Sequence, residues 1–449
     1  MRVLLDDSIF TSQMEDNVLS DNLQDTLKIL GEVKVEVIKR RLSSKDLERY
    51  DLEFDFIITE NRDIHREANI LNIGDKVLLI DEALQIFRSY LSIDSKIAPP
   101  ALKNKLVRDL NYEDPILNTL KEEYAPEFER WFRKIAKEGR KSWIYYRKDG
   151  SIGAILIYKF EDEPIDDSIP PLPKNKRLKI ATLKVTHIGF QIGELFIKMA
   201  IDVSIRNNIY EIYLTHFTKH PDRLVELISK YGFVKVAVKI NGEDIYAKKL
   251  VVAPEAKKYL SPLEISKQFY PSFYDGESVK KFVVPILPEY HDKLFTDYPI
   301  RQTTLSEHDG EFVVEGNTIN KAYLSHSNIK SIEPGDLILF YRSADLQSIT
   351  SIGVVESMHI GIDEGEQILR LVGKRTVFSR NEINEWIKSK PVSVFLFRYH
   401  MHLPRPLELR ELLDMGILKG APQSVTEITQ EKYMRIKEVA GIDERFTVS

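Results

Sequence analysis

Residues 142–252 run through an order of patterns that few folds accommodate. SWIYYR (142–147) and SIGAILIYKFE (151–161) alternate as strands around Asp149-Gly150, a pair suited to a tight hairpin turn. LKIATLKV (178–185) is again strand-like. THIGFQIGELF (186–196) follows with Gly189 and Gly193, and ELFIKMAIDVSIRNN (194–208) has helical spacing. NIYEIYLTHF (208–217) reads as a strand and HPDRLVELISKYG (220–232) as a helix. FVKVAVKI (233–240) and DIYAKKLVV (244–252) make a second hairpin around Asn241-Gly242. A strand that enters a helix through glycines offers backbone amides and a positive helix end to a phosphate. The plainer alternative is a tight turn that lets the helix pack closely.

This block is part of a longer chain. With 449 residues, two to four domains are expected. Hydrophobic residues make up 43% and charged residues 30%, so ordinary packed cores are expected. The net charge of -5 argues against a uniformly basic nucleic-acid coat and leaves room for a local basic groove. The absence of cysteine excludes a disulfide, a thiolate zinc site and a cysteine nucleophile. MRVLLDDSIF is too short an apolar run for a signal peptide, and no run of 18 apolar residues marks a membrane span. A cytoplasmic location with no membrane association is the expectation.

Upstream, RVLLD (2–6), VKVEVIKR (33–40), FDFIITE (54–60) and DKVLLID (75–81) read as strands. They alternate with helical segments at 21–32 and 62–72, which predicts a parallel α/β sheet. SIDSKIAPPALKN (92–104) reads as a linker, and 113–139 as a helix broken at Pro126. Residues 253–300 are rich in proline and aromatics and have no clear period. DLILFYRS (336–343), ITSIGVVESMHI (349–360), ILRLVGKRTVF (368–378) and VSVFLFRYHM (392–401) read as short strands, with a helix at 380–390. Many short strands suggest a small barrel.

The order of elements in 105–252, with LKVTHIGFQIGELFIKMA and LISKYGF, resembles the GNAT acetyltransferases. The resemblance implies a mixed sheet whose two parallel strands part to admit acetyl-CoA. It places the cofactor on Lys184, Val185, Ile188, Gly189, Phe190, Gln191, Ile192 and Gly193. Ile188 stands where the family has Arg or Gln, and Gln191 where it has a middle glycine. The family's tyrosine acid falls on Ile228, so Tyr231, three residues on, is the candidate acid. His216 is the candidate base, with His220 and Glu211 as lesser ones. A histidine suits that role because its ordinary pKa lies near neutrality.

LLDDSIF (4–10) and ITENRDIH (58–65) resemble the metal-binding motifs of PIN domains. That fold uses Mg²⁺ or Mn²⁺, held by carboxylates, to activate water against a phosphodiester. Asp6 and Asp63 match directly, Asn61 occupies an acid position, and Asp46 or Asp51 would have to supply the rest. Two acids are too few to grip a catalytic metal, which favours a shortened module used for docking or RNA contact. NTINKAYLSHSNIKSIEPGDLILFYRS (317–343) resembles PUA-like domains of the ASCH and EVE kind. Those imply an RNA or ligand pocket, here with His326, Ser327, Tyr341, Arg342, Lys374 and Arg375 as its wall.

The expected class is therefore α/β and α+β multidomain. A PIN-like parallel sheet spans 1–95, a GNAT mixed sheet 105–252, a connecting segment 253–300 and a PUA-like small β-barrel 301–449. The expected function is acetyl-CoA-dependent N-acetyl transfer on or in company with RNA or a ribonucleoprotein. The alternatives are a metal-dependent PIN-type ribonuclease and a non-catalytic RNA-binding or toxin–antitoxin-type regulator.

Overall fold

The structure is a computed structural model. It describes residues 2–11, 23–24, 26–28, 33–50, 53–71, 73, 76–80, 83–84, 87, 101–147, 149–186, 192–219, 222–253, 255–298, 311–313, 318–327, 329–372, 375, 378 and 380–449. The chain divides into two compact units. One comprises Met1–Ala98, Ala322–Lys330 and His359–Leu396, the other Pro99–Lys321, Ser331–Met358 and Phe397–Ser449.

In the first unit, β1 (Arg2–Asp6), β2 (Lys34–Ile38), β3 (Phe56–Ile58) and β4 (Val77–Leu78) form a parallel sheet in the order β2-β1-β3-β4. Leu4, Ile57 and Val77 of the sheet bury against Leu47 of the helix Ser44–Tyr50 and Ile64 and Ala68 of the helix Arg62–Ile70. This is the parallel α/β arrangement that the strand–helix alternation predicts. The same unit holds a helix, Gly365–Val372, where the sequence suggested a strand over 368–378. Ile368, Leu369 and Val372 are all buried there, and their spacing of one and four serves a helix face.

In the second unit, nine strands form one mixed sheet. They are β5 (Ala101–Leu106), β6 (Lys141–Tyr146), β7 (Ile152–Ile165), β8 (Ser168–Ile169), β9 (Leu172–Val185), β10 (Glu211–His216), β11 (Val234–Lys239), β12 (Asp244–Lys249) and β15 (Glu311–Val313). Their order is β15-β5-β6-β7-β9-β10-β12-β11-β8. β5 begins inside the expected linker, because Leu102 finds a buried place in the core. The helices Asn118–Glu123 and Glu127–Lys137 are parted at Pro126 as expected, and the second supplies Phe128, Phe132 and Ile135 to one core. The helix Ile192–Arg206 supplies Leu195, Phe196, Met199 and Ala200 to another, with Ile212 and Leu214 of β10.

The C-terminal strands are β14 (Lys281–Ile286), β16 (Asn320–Ser325), β17 (Leu337–Arg342), β18 (Ser348–Ile362), β19 (Val392–Glu408) and β20 (Thr426–Ile428), after the short β13 (Phe273–Tyr274). They form a sheet in the order β16-β19-β18-β17-β14-β20. The expected closed barrel is not formed among the described residues. β20, at one edge, has three residues, too few to close a ring of strands. The helix Gln430–Ala440 covers the sheet instead, laying Tyr433, Ile436 and Ala440 on Leu337, Leu339 and Tyr341. β14 comes from the stretch that had no clear period. Its KFVVPI is buried at all but one position because it lies between β17 and β20.

Candidate functional site

β9 and β10 are parallel neighbours for only a short distance. Their register pairs are Ile212↔Leu178, Tyr213↔Lys179 and Leu214↔Ile180. Beyond Ile180, β9 continues to Val185 alongside β7, ending at Ala154↔Val185. Beyond Leu214, β10 continues through Thr215 and His216 alongside β12, ending at His216↔Asp244. The two parallel strands thus part company in mid-sheet, each held by its outer neighbour. The parting lies where a ligand could meet main-chain groups of 181–185. Arg147 fixes the end of β9, donating to the Thr186 carbonyl at 3.2 Å and to Thr186 Oγ1 at 3.0 Å.

Of the expected cofactor residues, Ile188, Gly189, Phe190 and Gln191 lie outside the described residues. Lys184 and Val185 sit on the diverging part of β9. The Lys184 ammonium donates to Thr119 Oγ1, and burial lowers its pKa, with Glu123 and Glu122 opposing. Ile192 is buried and opens the helix. A Cβ at Gly193 would approach Leu227 Cδ2 to 2.7 Å, so this glycine lets the helices Ile192–Arg206 and Arg223–Ser229 pack closely. Gly232 has φ of +83°, and a Cβ there would meet the Gln268 carbonyl oxygen at 2.0 Å.

His216 shares a face of β10 with Ile212 and Leu214, which point into the helix-side core. Its Nε2 lies 2.7 Å from Asp222 Oδ2. Asp222 caps the helix Arg223–Ser229, accepting from the Val225 amide at 3.0 Å, and also accepts from the Lys219 amide at 3.1 Å. Burial alone would raise the Asp222 carboxyl. Those two amides and His216 hold it below its ordinary value. The result is an imidazole oriented by a carboxylate at the end of the diverging strand. His220 lies outside the described residues. Glu211 is tied to the buried Arg177. Tyr231 is 3% exposed, and its hydroxyl accepts from Asn320 Nδ2 at 3.2 Å.

Sequence patterning did not reveal how the far side of the helix Ile192–Arg206 is fastened. Ten of the fifteen residues of this helix are buried, including Glu194 and Lys198. Glu194 Oε1 accepts the amides of Ile319 at 2.7 Å and Asn320 at 2.9 Å. Lys198 Nζ lies 2.7 Å from Asp297 Oδ2, and Asp297 Oδ1 lies 3.1 Å from His402 Nε2. Burial would raise the Asp297 carboxyl, but Lys198 and His402 hold it well below the carboxylate range. The sequence signal was a Glu–Lys pair four residues apart in the apolar run Ile192–Ile201 of the helix.

Among the described residues, the acids of the first unit do not form a metal centre, and Asp51 lies outside the described residues. Asp6 is wholly buried. Its carboxylate accepts from Thr59 Oγ1 at 2.8 Å, from the Ser8 amide at 3.0 Å and from the Ser8 hydroxyl. Asp63 is exposed and pairs with Arg66 at 3.2 Å. Asp46 is gripped by Arg40, with N–O distances of 2.6 and 2.7 Å. Among the described residues no group of three or more His, Asp or Glu could hold a metal ion. The expected Mg²⁺ or Mn²⁺ therefore finds no described ligand set, because hydroxyls, amides and guanidinium groups already occupy these carboxylates.

The expected pocket residues are divided between the two units. His326 and Ser327 lie in the first. His326 is exposed, its ring 5.0 Å from that of Trp386 and its Nε2 3.1 Å from the Trp386 carbonyl oxygen. The Ser327 carbonyl accepts from Ser393 Oγ at 2.7 Å. Arg375 is half-buried, and Lys374 lies outside the described residues. Tyr341 and Arg342 lie in the second unit on β17, whose every residue is buried. Tyr341 belongs to the core beneath the helix Gln430–Ala440, so it is no platform for a base. Arg342 is spent on Asp345, at 2.6 Å, and on Asp292, which keep its guanidinium charged.

No family model matches the chain, and no curated protein matches it. Solved structures resemble parts of it. An ASCH protein from Zymomonas mobilis is 16% identical over 36% of this chain and 95% of its own, with a TM-score of 0.28. A GNAT-family acetyltransferase from Listeria monocytogenes is 19% identical over 30% of this chain and 83% of its own, with a TM-score of 0.23. A chain of the NatC complex bound to a Gag peptide and CoA is 17% identical over 32% of this chain and 95% of its own, with a TM-score of 0.22. No helix among the described residues is long and apolar enough to cross a membrane.

Proposed function

We propose that the second unit is an acetyl-CoA-dependent N-acetyltransferase of the GNAT kind, working on or in company with RNA or a ribonucleoprotein. The observation that carries this reading is the parting of β9 and β10 after three register pairs, with β9 followed in the chain by a largely buried helix beginning at Ile192. The diverging edge of β9, Lys184 and Val185 included, would lie along the cofactor, and the start of the helix would face its phosphates. When bound, acetyl-CoA supplies an activated thioester. The chain's own part is to hold the acceptor amine and take its proton. Asp222 holds the Nε2 edge of His216, which leaves Nδ1 as the nitrogen that receives a proton as the amine adds to the acyl carbon. The RNA link rests on the resemblance of 317–343 to PUA-like domains.

Titration calorimetry with acetyl-CoA and release of free thiol on adding cellular RNA or protein test the reading. Mass spectrometry of the acetylated product then identifies the acceptor. Absence of both binding and thiol release removes the proposal.

A further inference from the structure

Among the described residues β2 is an edge strand of the first unit's parallel sheet, and its residues Lys34–Val37 are all exposed. Val35 is 39% and Val37 49% exposed. Parallel sheets ordinarily cover both faces, and an edge left with open backbone groups is a template for another strand. The side chains sort by face. Val33, Val35 and Val37 share one face, and Lys34 and Glu36 the other.

We propose that this edge is a self-association surface, and that its occupant is β2 of a second copy of this chain, paired antiparallel across a two-fold axis at Val35. A two-fold axis that extends a sheet through one strand runs perpendicular to the sheet. It reverses the strand direction and keeps the faces, so only registers centred on a residue are possible. Centring on Lys34 sets lysine against lysine, and centring on Glu36 sets glutamate against glutamate. Centring on Val37 sets Glu36 against Ile38 and Val35 against Lys39. Centring on Val35 sets Lys34 against Glu36 twice, Val33 against Val37 twice, and Val35 against itself. Opposite charges directly across a strand pair attract and like charges repel, so this register alone satisfies both faces. Glu36 also lies 2.8 Å from Arg2 of its own chain, which adds a second cation beside the carboxylate.

Analytical ultracentrifugation of the full chain across a concentration series tests the pairing, with charge-swap variants. The unaltered chain is expected to dimerise with concentration. Lys34→Glu and Glu36→Lys each turn two attractive pairs into two repulsive ones, and each should weaken the dimer roughly tenfold or more. The double swap Lys34→Glu/Glu36→Lys restores the opposite charges and should recover the dimer. All these side chains are exposed, so circular dichroism should show each variant folded. A chain that stays monomeric at all concentrations overturns the proposal. So does a dimer indifferent to the single swaps, or one that the double swap fails to recover.

Discussion

Replacing Lys321 by methionine should stabilise the protein at neutral pH and abolish a specific part of its pH dependence. Lys321 is 2% exposed on β16, with Nζ donating to the Leu294 carbonyl at 2.6 Å. The ammonium lies 5.5 Å from the centre of the Phe295 ring and 5.6 Å from that of Tyr399. Burial, with the charge of Lys198 adding, pushes its pKa from 10.5 down to about 7, against the pull of Asp297 and Glu194. Between those two values the unfolded chain holds a proton that the folded chain lacks, so stability rises with pH from about 7 to 10.5. At about 1.4 kcal/mol per pH unit, the whole rise is about 5 kcal/mol, and the folded state bears that full cost near and below pH 7. Methionine fills a similar volume and cannot ionise. It forfeits one hydrogen bond, worth about 1 kcal/mol. K321M should therefore exceed the unaltered protein in stability near pH 7, by up to about 4 kcal/mol after subtracting that hydrogen bond. It should lose the advantage as pH approaches 10. Urea unfolding of both proteins at each pH unit from 7 to 10 measures the difference directly. Groups common to both proteins cancel. A difference that stays constant across the series would show that Lys321 keeps its proton in the fold, and would refute the reasoning.

Three further outcomes are expected. On the proposed reading, His216→Gln should lower kcat by about a hundredfold or more with little change in KM for acetyl-CoA; steady-state kinetics checks it. Gly232→Ala must place a Cβ against the Gln268 carbonyl in a left-handed backbone, and should cost roughly 3 kcal/mol or more in thermal unfolding. Lys437→Met strands the wholly buried Asp275, whose carboxylate lies 2.6 Å from Lys437 Nζ. It should cost about 3–5 kcal/mol, much of it regained in Asp275→Asn/Lys437→Met, as urea titrations would show.

What was legible in the chain was whatever is written in local period and turn chemistry. The hairpin at Asp149-Gly150 and that at Asn241-Gly242 stand where their dipeptides put them, and most of the central strands lie within a few residues of their alternating runs, but β9 begins at Leu172, six residues before its run, because it pairs with an equally long β7 through residues that read as a loop. The stretch 368–378 went wrong because a run such as ILRLV satisfies two periods at once, and only its burial beside the helix Arg380–Ser389 decides between them. β14 and the open sheet could not be read, since KFVVPI becomes a strand through neighbours more than fifty residues away at β17 and about 140 away at β20. The acids of the first block show the same limit in chemistry. A carboxylate's position in a motif does not reveal that Thr59 and Ser8 have already consumed its lone pairs.

Of the two glycines in 186–196, Gly189 lies outside the described residues. Gly193 makes room for Leu227, so its packing role stands whatever the loop before it binds. That alone would make the glycine pattern a weak sign of a phosphate site. What gives the site its character is the disposition of the strands on either side. β9 and β10 separate after three register pairs, and the helix that follows β9 in the chain is fixed by Glu194 and Lys198 through charged hydrogen bonds. A buried charge pair adds little net stability over apolar packing, but it penalises any other placement of the helix because a misplaced partner would leave a charge stranded. The polar pair therefore sets the position of the helix start relative to the diverging strands. On the proposed reading, with a phosphate held at the helix start, the fastening of the helix by Glu194 and Lys198 would belong to the site as much as Gly193 does.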